Sequence, residues 1–185
     1  MYIILFWFEC FWMVNDKLQI VLVDENDKEI WLWKKMEVHK KWLLHRAISV
    51  LILNRNWEML LQQRALEKYH CGWMWSNAVC THPYHGESNI DAAHRRLYEE
   101  MWFDTDLKEI FQFSYIANFD NWLIENEFDH VFLWYYDEDI KINVDEVNDY
   151  KRMWIGELKK DTLKYPDKYT QWFKIMFEEY LFLKN

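Results

Sequence analysis

The sequence predicts a single α+β domain in which helices flank a mixed sheet built partly of β-hairpins. Three observations lead to this fold class. Alternating apolar segments come in pairs joined by polar turns, and one long amphipathic segment lies near the middle of the chain. The 185 residues suffice for one domain with a sizeable core, and no repeat or Pro/Gly-rich linker divides them.

The first half of the chain predicts two hairpins followed by a helix. LQIVLVDENDKEIWLW, residues 18–33, predicts a hairpin with DENDK as its turn. RAISVLILNRNWEMLLQQRA, residues 46–65, predicts a second hairpin with NRNWE as its turn. The clearest helix covers residues 87–101, because Ser88 can serve as N-cap with Asp91 three residues further on.

The second half of the chain predicts two strands and then mostly helix. IFQFSYIANF and NEFDHVFLWYY predict strands. From Asp145 onward, DEVNDYKRM and KYTQWFKIMFEEYLFL predict helices. The apolar first 14 residues are too short to span a membrane as a helix, which needs about 20 residues. They also lack the features of a signal peptide.

Charge and cysteine content restrict the class of partner. The chain has 22 Lys and Arg against 31 Asp and Glu, a net charge of −9, with no basic stripe. This excludes nucleic acid and anionic membrane as expected partners, while a small anionic substrate can still be held by a few cations or a metal ion. The three cysteines form no disulfide framework, which predicts a cytoplasmic location.

Two histidine patterns contain candidate site residues, and each alone has an ordinary explanation. Cys80 and His82 would share one face of a strand, but a buried structural cysteine beside a chance histidine fits as well. His39 and His45 lie close to a strand start and could chelate a metal ion, but such histidine pairs are also common on protein surfaces. Neither pattern alone defines a site.

Glu125 and Glu127 would point the same way from a strand. Two like charges repel unless a cation lies between them or one carries a proton, and the other explanation is an exposed loop. Together with the three imidazoles, they favour a six-coordinate Mg²⁺ or Mn²⁺ over a cysteine-rich zinc site. Glu99 and Glu100 could hold a second divalent ion with the phosphates of a substrate.

These residues, in this order, resemble type I isopentenyl diphosphate isomerase, a branch of the Nudix superfamily. The resemblance rests on HKKWLLHRAISV, LLQQRALEKYH, WSNAVCTHPYHGES, AAHRRLYEEM, ENEFDHVF and the tail around YTQWF. It implies one Nudix-type isomerase domain over residues 17–185, folded as an α/β/α sandwich. Residues 1–16 are left as an unmatched apolar N-terminal extension.

The resemblance implies an enzyme that interconverts isopentenyl and dimethylallyl diphosphate by protonation at one carbon and deprotonation at another. The implied acid/base pair is Cys80 and Glu127, with Tyr115 assisting Glu127. The implied ligands of the catalytic divalent ion, Mg²⁺ or Mn²⁺, are His39, His45, His82, Glu125 and Glu127.

The resemblance also implies how the substrate is held. Glu100, with the main chain of Cys80, would hold a diphosphate-bound Mg²⁺. The implied substrate contacts, with Trp172 facing the developing carbocation, are Lys35, Arg64, Lys68, Thr81, Arg96 and Trp172. The only partner implied is the small diphosphate, and the chain would act as a monomer or homodimer.

A Nudix diphosphate hydrolase is the alternative function. The family's box normally begins with Gly where Thr81 stands, and it has Arg-Glu where this chain has Arg95 and Arg96. An important metal-binding carboxylate is therefore missing, which favours isomerisation.

Tryptophan also stands where the family usually has glycine. The positions are Trp42, Trp57, Trp73 and Trp102, with Trp122 and Trp134 as further candidates. This pattern predicts an altered or designed version of the family sequence. It would need left-handed backbone at Trp57, and it puts Trp102 where a glycine C-cap is expected after the helix. A folded but inactive protein that still binds metal or diphosphate is the third hypothesis.

Overall fold

The computed structural model describes residues 19–68, 71–118 and 124–184, which form nine strands and four α-helices. The strands are β1 (Gln19–Val23), β2 (Glu29–Lys34), β3 (His45–Leu53), β4 (Glu58–Arg64), β5 (Trp75–Ser76), β6 (Val79–Thr81), β7 (Lys108–Asn118), β8 (Ile124–Tyr135) and β9 (Val147–Trp154). The helices are α1 (Lys35–Lys41), α2 (Asn89–Met101), α3 (Ile155–Lys164) and α4 (Gln171–Leu183), with a 3₁₀ turn at Pro166–Lys168.

The nine strands form one mixed sheet. Strand β3 lies at its centre, parallel to β8 and antiparallel to β1, β4 and β6. The two predicted hairpins, β1–β2 and β3–β4, are both present. The β7–β8 pair is antiparallel and sets Tyr115 opposite Glu127. This topology brings β6 and β8 to the two sides of β3, so that side chains from all three strands meet on one face.

Each face of the sheet has its own hydrophobic core. Buried residues of α2, among them Ala93 and Leu97, pack against Ile48, Val50 and Phe132 on one face. On the other face α4 packs against Leu51, Leu53 and Val131, with a stacked row of aromatic rings along the helix. Helices therefore cover both faces of the sheet, which confirms the predicted α/β/α sandwich.

Helix α2 begins as the sequence predicts. Ser88 is its N-cap, and the Ser88 hydroxyl accepts a hydrogen bond from the backbone N–H of Asp91 over 3.2 Å. The helix ends at Trp102, which has left-handed backbone with φ 51° and donates its N–H to the carbonyl of Tyr98. Glu100 lies in the last turn and is buried, so the helix delivers this carboxylate to the sheet.

The predicted helix over DEVNDYKRM is wrong. Residues Val147–Trp154 form strand β9, which pairs antiparallel with β4 and sets Met59 opposite Met153. The charged side chains favoured a helix only by local propensity. Pairing with β4 instead supplies backbone hydrogen-bond partners along seven residues of each strand. The two helices of this region, α3 and α4, follow only after Trp154.

The four principal tryptophans at glycine-type positions all have left-handed backbone. Their φ angles are 60° at Trp42, 60° at Trp57, 67° at Trp73 and 51° at Trp102. Trp134 does not belong to this group because it lies in strand β8, and Trp122 lies outside the described residues. A side chain with a Cβ costs about 1–2 kcal/mol in this conformation.

Within the described ranges no helix is both long and apolar enough to cross a membrane. The proposed boundary between residues 16 and 17 falls outside those ranges and stays a prediction.

Candidate active site

Three histidines from separate parts of the chain converge beside the central strand. His39 lies in helix α1, His45 is the first residue of β3, and His82 follows β6 directly. The sequence predicted a strand start near His39 and not helix α1. The ring centroids are 4.9 Å apart for His39 and His45 and 5.0 Å apart for His45 and His82. One nitrogen from each ring lies within 4.8 Å of the others.

The three imidazoles have the form that binds a metal ion. His45 directs Nδ1 to the carbonyl oxygen of Leu43 over 2.8 Å, which places the proton on Nδ1 and leaves Nε2 to act as a ligand. Burial, then the charge of Lys35, lowers the pKa of His82 to about 4. Burial, then the neighbouring imidazoles, lowers the pKa of His39 well below its usual range. Neutral imidazoles are the ligand form, so a divalent ion fits here.

Two buried nitrogens of this cluster support the same conclusion. Nε2 of His39 and Nε2 of His45 are buried and have no hydrogen-bond partner among the described residues. A buried polar atom without a partner costs about 1–3 kcal/mol, so native proteins seldom keep one without a ligand or water to satisfy it. These atoms are the expected ligands of a bound ion.

Glu125 and Glu127 project to the same side of strand β8, as their spacing predicts. Both are buried at 6% exposure, and the Tyr115 hydroxyl lies 3.2 Å from Oε2 of Glu125 and 2.5 Å from Oε2 of Glu127. Oε1 of Glu127 lies 3.3 Å from Nε2 of His45 and 3.2 Å from Nε2 of His82. The two carboxylates therefore share one phenol, and Glu127 also contacts two of the imidazoles.

The two carboxyl groups have opposite electrostatic environments. Burial, then the charge of Glu127, raises the pKa of Glu125 well above its usual range. Burial alone would raise the pKa of Glu127 as well, but the neighbouring His45 and His82 rings outweigh it and lower that pKa. Burial, then these two carboxylates, raises the pKa of Tyr115, which keeps the phenol a donor. The pair can thus hold one proton or share one cation.

Cys80 lies on β6, on the opposite side of β3 from β8, and a short polar chain joins it to β8. Its sulfur lies 3.7 Å from Oγ of Ser49, and this hydroxyl donates to Oδ2 of Asp129 over 2.8 Å. Burial, then the Asp129 carboxyl, raises the pKa of the thiol to about 12. Since Asp129 follows Glu127 by two residues on the same strand, this chain connects the thiol to the face of β8 that carries the Glu127 carboxylate.

Four cations lie on the neighbouring side of the site. Burial, then the charges of Arg64, Arg96 and Lys68, lowers the pKa of Lys35 to about 8. The Arg64 guanidinium lies over the Trp172 ring, 5.1 Å from its centroid. Lys35, Arg64, Lys68 and Arg96 therefore repel one another, and binding of a polyanion would relieve this repulsion.

Carboxylates hold two of these cations in place. Arg96 contacts Glu100 over 2.5 Å and Glu146 over 2.7 Å, while Lys68 pairs with the same two carboxylates. Gln62 donates to the second oxygen of Glu100 over 2.8 Å. Glu100 thus lies next to the cations, as a ligand of a diphosphate-bound ion would.

Three other predicted residues lie in or near the site in different ways. Trp172, in the first turn of α4, is buried at 4% exposure and donates its indole N–H to Ser76. Thr81 ends β6 and is half-buried, with its hydroxyl 3.4 Å from the His82 carbonyl. Glu99 is half-buried and pairs with Arg95 and with Arg96, one of the four cations of the site.

The sequence did not single out several polar residues of the site. Asp129 continues the two-residue spacing of Glu125 and Glu127, which is a signal that could have identified it. Glu146 and Asn77 carry no such signal, because contacts between distant segments bring them to the site.

The fold and this site define a protein of the Nudix superfamily. The profile described as the NUDIX domain matches residues 43–173. A crystal structure from Deinococcus radiodurans superposes with a TM-score of 0.66 at 14% identity, over 80% of this chain and 90% of that one. The MutT protein of Methanosarcina mazei Go1 does so with a TM-score of 0.63 at 17% identity, over 77% and 96% of the two chains. These two show the fold alone.

Curated relatives place the chain more narrowly. An isopentenyl-diphosphate Delta-isomerase of Pectobacterium atrosepticum is 46% identical over 159 residues, which is 86% of this chain and 89% of the relative. Isopentenyl-diphosphate Delta-isomerase 2 of Photorhabdus laumondii is 47% identical over 157 residues, 84% of this chain and 88% of the relative. The chain belongs to the isopentenyl-diphosphate Delta-isomerase family.

Proposed function

We propose that this chain interconverts isopentenyl and dimethylallyl diphosphate, with Cys80 and Glu127 as the acid/base pair. The observation that carries the proposal is the cluster of three imidazoles, two of which, His82 and His45, lie 3.2 Å and 3.3 Å from Oε1 of Glu127, beside the half-buried Cys80 thiol. A protonated group and an ionised group border one space, as a paired protonation and deprotonation requires.

The reaction moves one double bond and leaves the proton count of the substrate unchanged. One group of the pair gives a proton to the terminal alkene carbon, which leaves a tertiary carbocation. The other group removes a proton from the carbon on the diphosphate side, and the new double bond forms there. Tyr115 steadies Glu127 through its hydroxyl, and the buried Trp172 ring offers a π face to the cation in a site that excludes water.

We assign the binding of the catalytic ion to five residues. His39, His45, His82, Glu125 and Glu127 would hold Mg²⁺ or Mn²⁺, since the buried Nε2 atoms without partners and the paired carboxylates fit an ion with mixed nitrogen and oxygen ligands. When bound, the ion would set the charge and orientation of Glu127. The ligand set fits a divalent ion, and we propose that this ion is Mg²⁺ or Mn²⁺.

The diphosphate would lie among the four cations. Lys35, Arg64, Lys68 and Arg96 would neutralise it, with the Thr81 hydroxyl beside them, while Glu100 and the Cys80 main chain would hold a diphosphate-bound Mg²⁺. A location in the cytoplasm, a monomeric or dimeric state and the absence of nucleic-acid or membrane partners stay predictions.

The test is a turnover assay with isopentenyl diphosphate and Mg²⁺ plus Mn²⁺, followed by proton NMR. The parent should form dimethylallyl diphosphate, and Cys80→Ala and Glu127→Gln should each lose at least about 100-fold in kcat. Chelation should abolish turnover, and adding back a divalent ion should restore it. Full turnover by either variant would refute the acid/base assignment.

The same samples separate the other two hypotheses. Release of phosphate from nucleoside diphosphate derivatives without isomerisation would indicate a hydrolase. Binding of Mn²⁺ without either reaction would indicate an inactive scaffold.

A further inference from the structure

The side-chain amide of Asn77 has an orientation fixed by its surroundings. Asn77 lies between β5 and β6 and is fully buried. Its Nδ2 donates to the carbonyl oxygens of Val50, over 3.2 Å, and Val79, over 2.8 Å. Carbonyl oxygens only accept, so the amide nitrogen must face them and the amide oxygen must point the other way.

The amide oxygen receives two donors from the site. The Cys80 sulfur donates to Oδ1 over 3.1 Å, and the Ser76 hydroxyl donates to it over 3.0 Å. All four hydrogen-bonding positions of the Asn77 amide are therefore used, and one of them holds the thiol.

The same chain extends to the aromatic ring of the site. Ser76 accepts the indole N–H of Trp172 over 2.9 Å and the hydroxyl hydrogen of Thr170 over 3.2 Å. With one donated and two accepted hydrogen bonds, the Ser76 hydroxyl has no freedom to turn. Cys80 and Trp172 are thus the two ends of one buried chain through Asn77 and Ser76.

We propose that Asn77 is a positioning residue for the isomerisation, because it fixes the Cys80 sulfur and the Trp172 ring relative to each other. The other polar contact of the sulfur, to Ser49, is long at 3.7 Å, so Asn77 selects the thiol rotamer. The inference rests on the proposed function, in which the Cys80 thiol transfers a proton and the Trp172 ring faces the carbocation. A sulfur misplaced by about 1 Å is expected to slow such a reaction about 100-fold.

The test compares Asn77→Ala with Asn54→Ala as the matched control. Asn54 is a buried amide too, at 7% exposure, but its partner Glu58 and its backbone contacts lie in the β3–β4 turn, outside the site. With isopentenyl diphosphate, Asn77→Ala should lose 10- to 100-fold in kcat and keep KM within about twofold. Asn54→Ala should lower thermal stability and leave kcat unchanged.

Ser76→Ala provides a second test, because it leaves both Nδ2 bonds of Asn77 intact and removes the hydroxyl that connects the Asn77 amide oxygen to Trp172 and Thr170. It should lower kcat severalfold, and where Asn77→Ala folds, the double variant should lose less than the product of the two single losses. A folded Asn77→Ala with kcat within twofold of the parent would overturn the inference. If Asn77→Ala does not fold, an unchanged kcat in Ser76→Ala overturns it.

Cys80→Ala, measured beside these variants, separates this inference from the proposed function. If Cys80→Ala turns over normally, the acid/base assignment fails, and the positioning role fails with it. If Cys80→Ala is inactive while Asn77→Ala is normal, only the positioning role fails.

Discussion

The hydroxyl of Tyr115 lies 2.5 Å from Oε2 of Glu127, the shortest contact of that carboxylate with any described donor of the site. Both groups are buried, and strand pairing sets them directly opposite each other. A phenol that donates to a carboxylate in a buried site stabilises the ionised form and fixes its orientation.

Tyr115→Phe should therefore lower kcat about 10- to 100-fold while leaving binding of the diphosphate unchanged. Tyr180→Phe is the matched control, because the Tyr180 hydroxyl is buried and has no hydrogen-bond partner among the described residues. Removing that hydroxyl should not reduce kcat or stability. Equal kcat in the two variants would show that Tyr115 only fills space.

The metal-free protein should lose stability as the pH falls from about 6.5 to 4. The pKa of His82 is lowered to about 4 in the folded state, chiefly by burial, so the unfolded chain binds more protons between these values. His82 then contributes no penalty above pH 6.5 and about 3 kcal/mol of destabilisation near pH 4.

Urea unfolding with a chelator, at pH 7 and at pH 5, measures this effect. His82→Gln should reduce the loss between the two pH values, since glutamine does not titrate. An unchanged loss in this variant would assign the acid sensitivity to other groups.

Asn126→Ala should weaken the divalent ion site although Asn126 is not a proposed ligand. Its Nδ2 donates over 2.9 Å to the carbonyl of Trp42, which joins the strand of Glu125 and Glu127 to the loop after His39. Loss of a hydrogen bond to a ligand itself typically costs about 10- to 100-fold in metal affinity, so loss of this bond between two ligand-bearing segments should cost less than that.

Mn²⁺ titration followed by electron paramagnetic resonance measures that affinity. The control is Asn148→Ala, which removes an exposed amide hydrogen bond to Gln63 on the other side of β4. Equal Mn²⁺ affinities in the two variants would contradict the prediction.

Trp102→Gly should stabilise the protein. Trp102 is 56% exposed and has left-handed backbone, so glycine removes about 1 kcal/mol of strain with little loss of packing. In a domain of this size the melting temperature should rise by about 2–4 °C.

The control for this change is Trp31→Gly, in the middle of strand β2. Trp31 is 66% exposed but has no left-handed backbone, so glycine there should destabilise the strand. A stabilising effect of both substitutions would mean that exposed tryptophan itself, and not the backbone, is unfavourable.

Local sequence patterns predicted the hairpins and the helices on a mixed sheet, whereas the approach of the site residues was predicted only from the family resemblance. The two-residue spacing of Glu125 and Glu127 and the cap at Ser88 are read from neighbouring positions. Strand β9 was missed because its pairing with β4 joins residues that are about 90 positions apart. Asn77 was missed for a related reason, since its role depends on Val50 and Trp172.

The left-handed tryptophans also have a genetic consequence. The tryptophan codon TGG becomes the glycine codon GGG through a single base change, so each of positions 42, 57, 73 and 102 lies one point mutation away from a residue without a Cβ. Random mutagenesis followed by selection for survival after heating should therefore enrich glycine at these positions early. The backbone conformation at these four positions therefore predicts which codons change first when the gene is selected for heat stability.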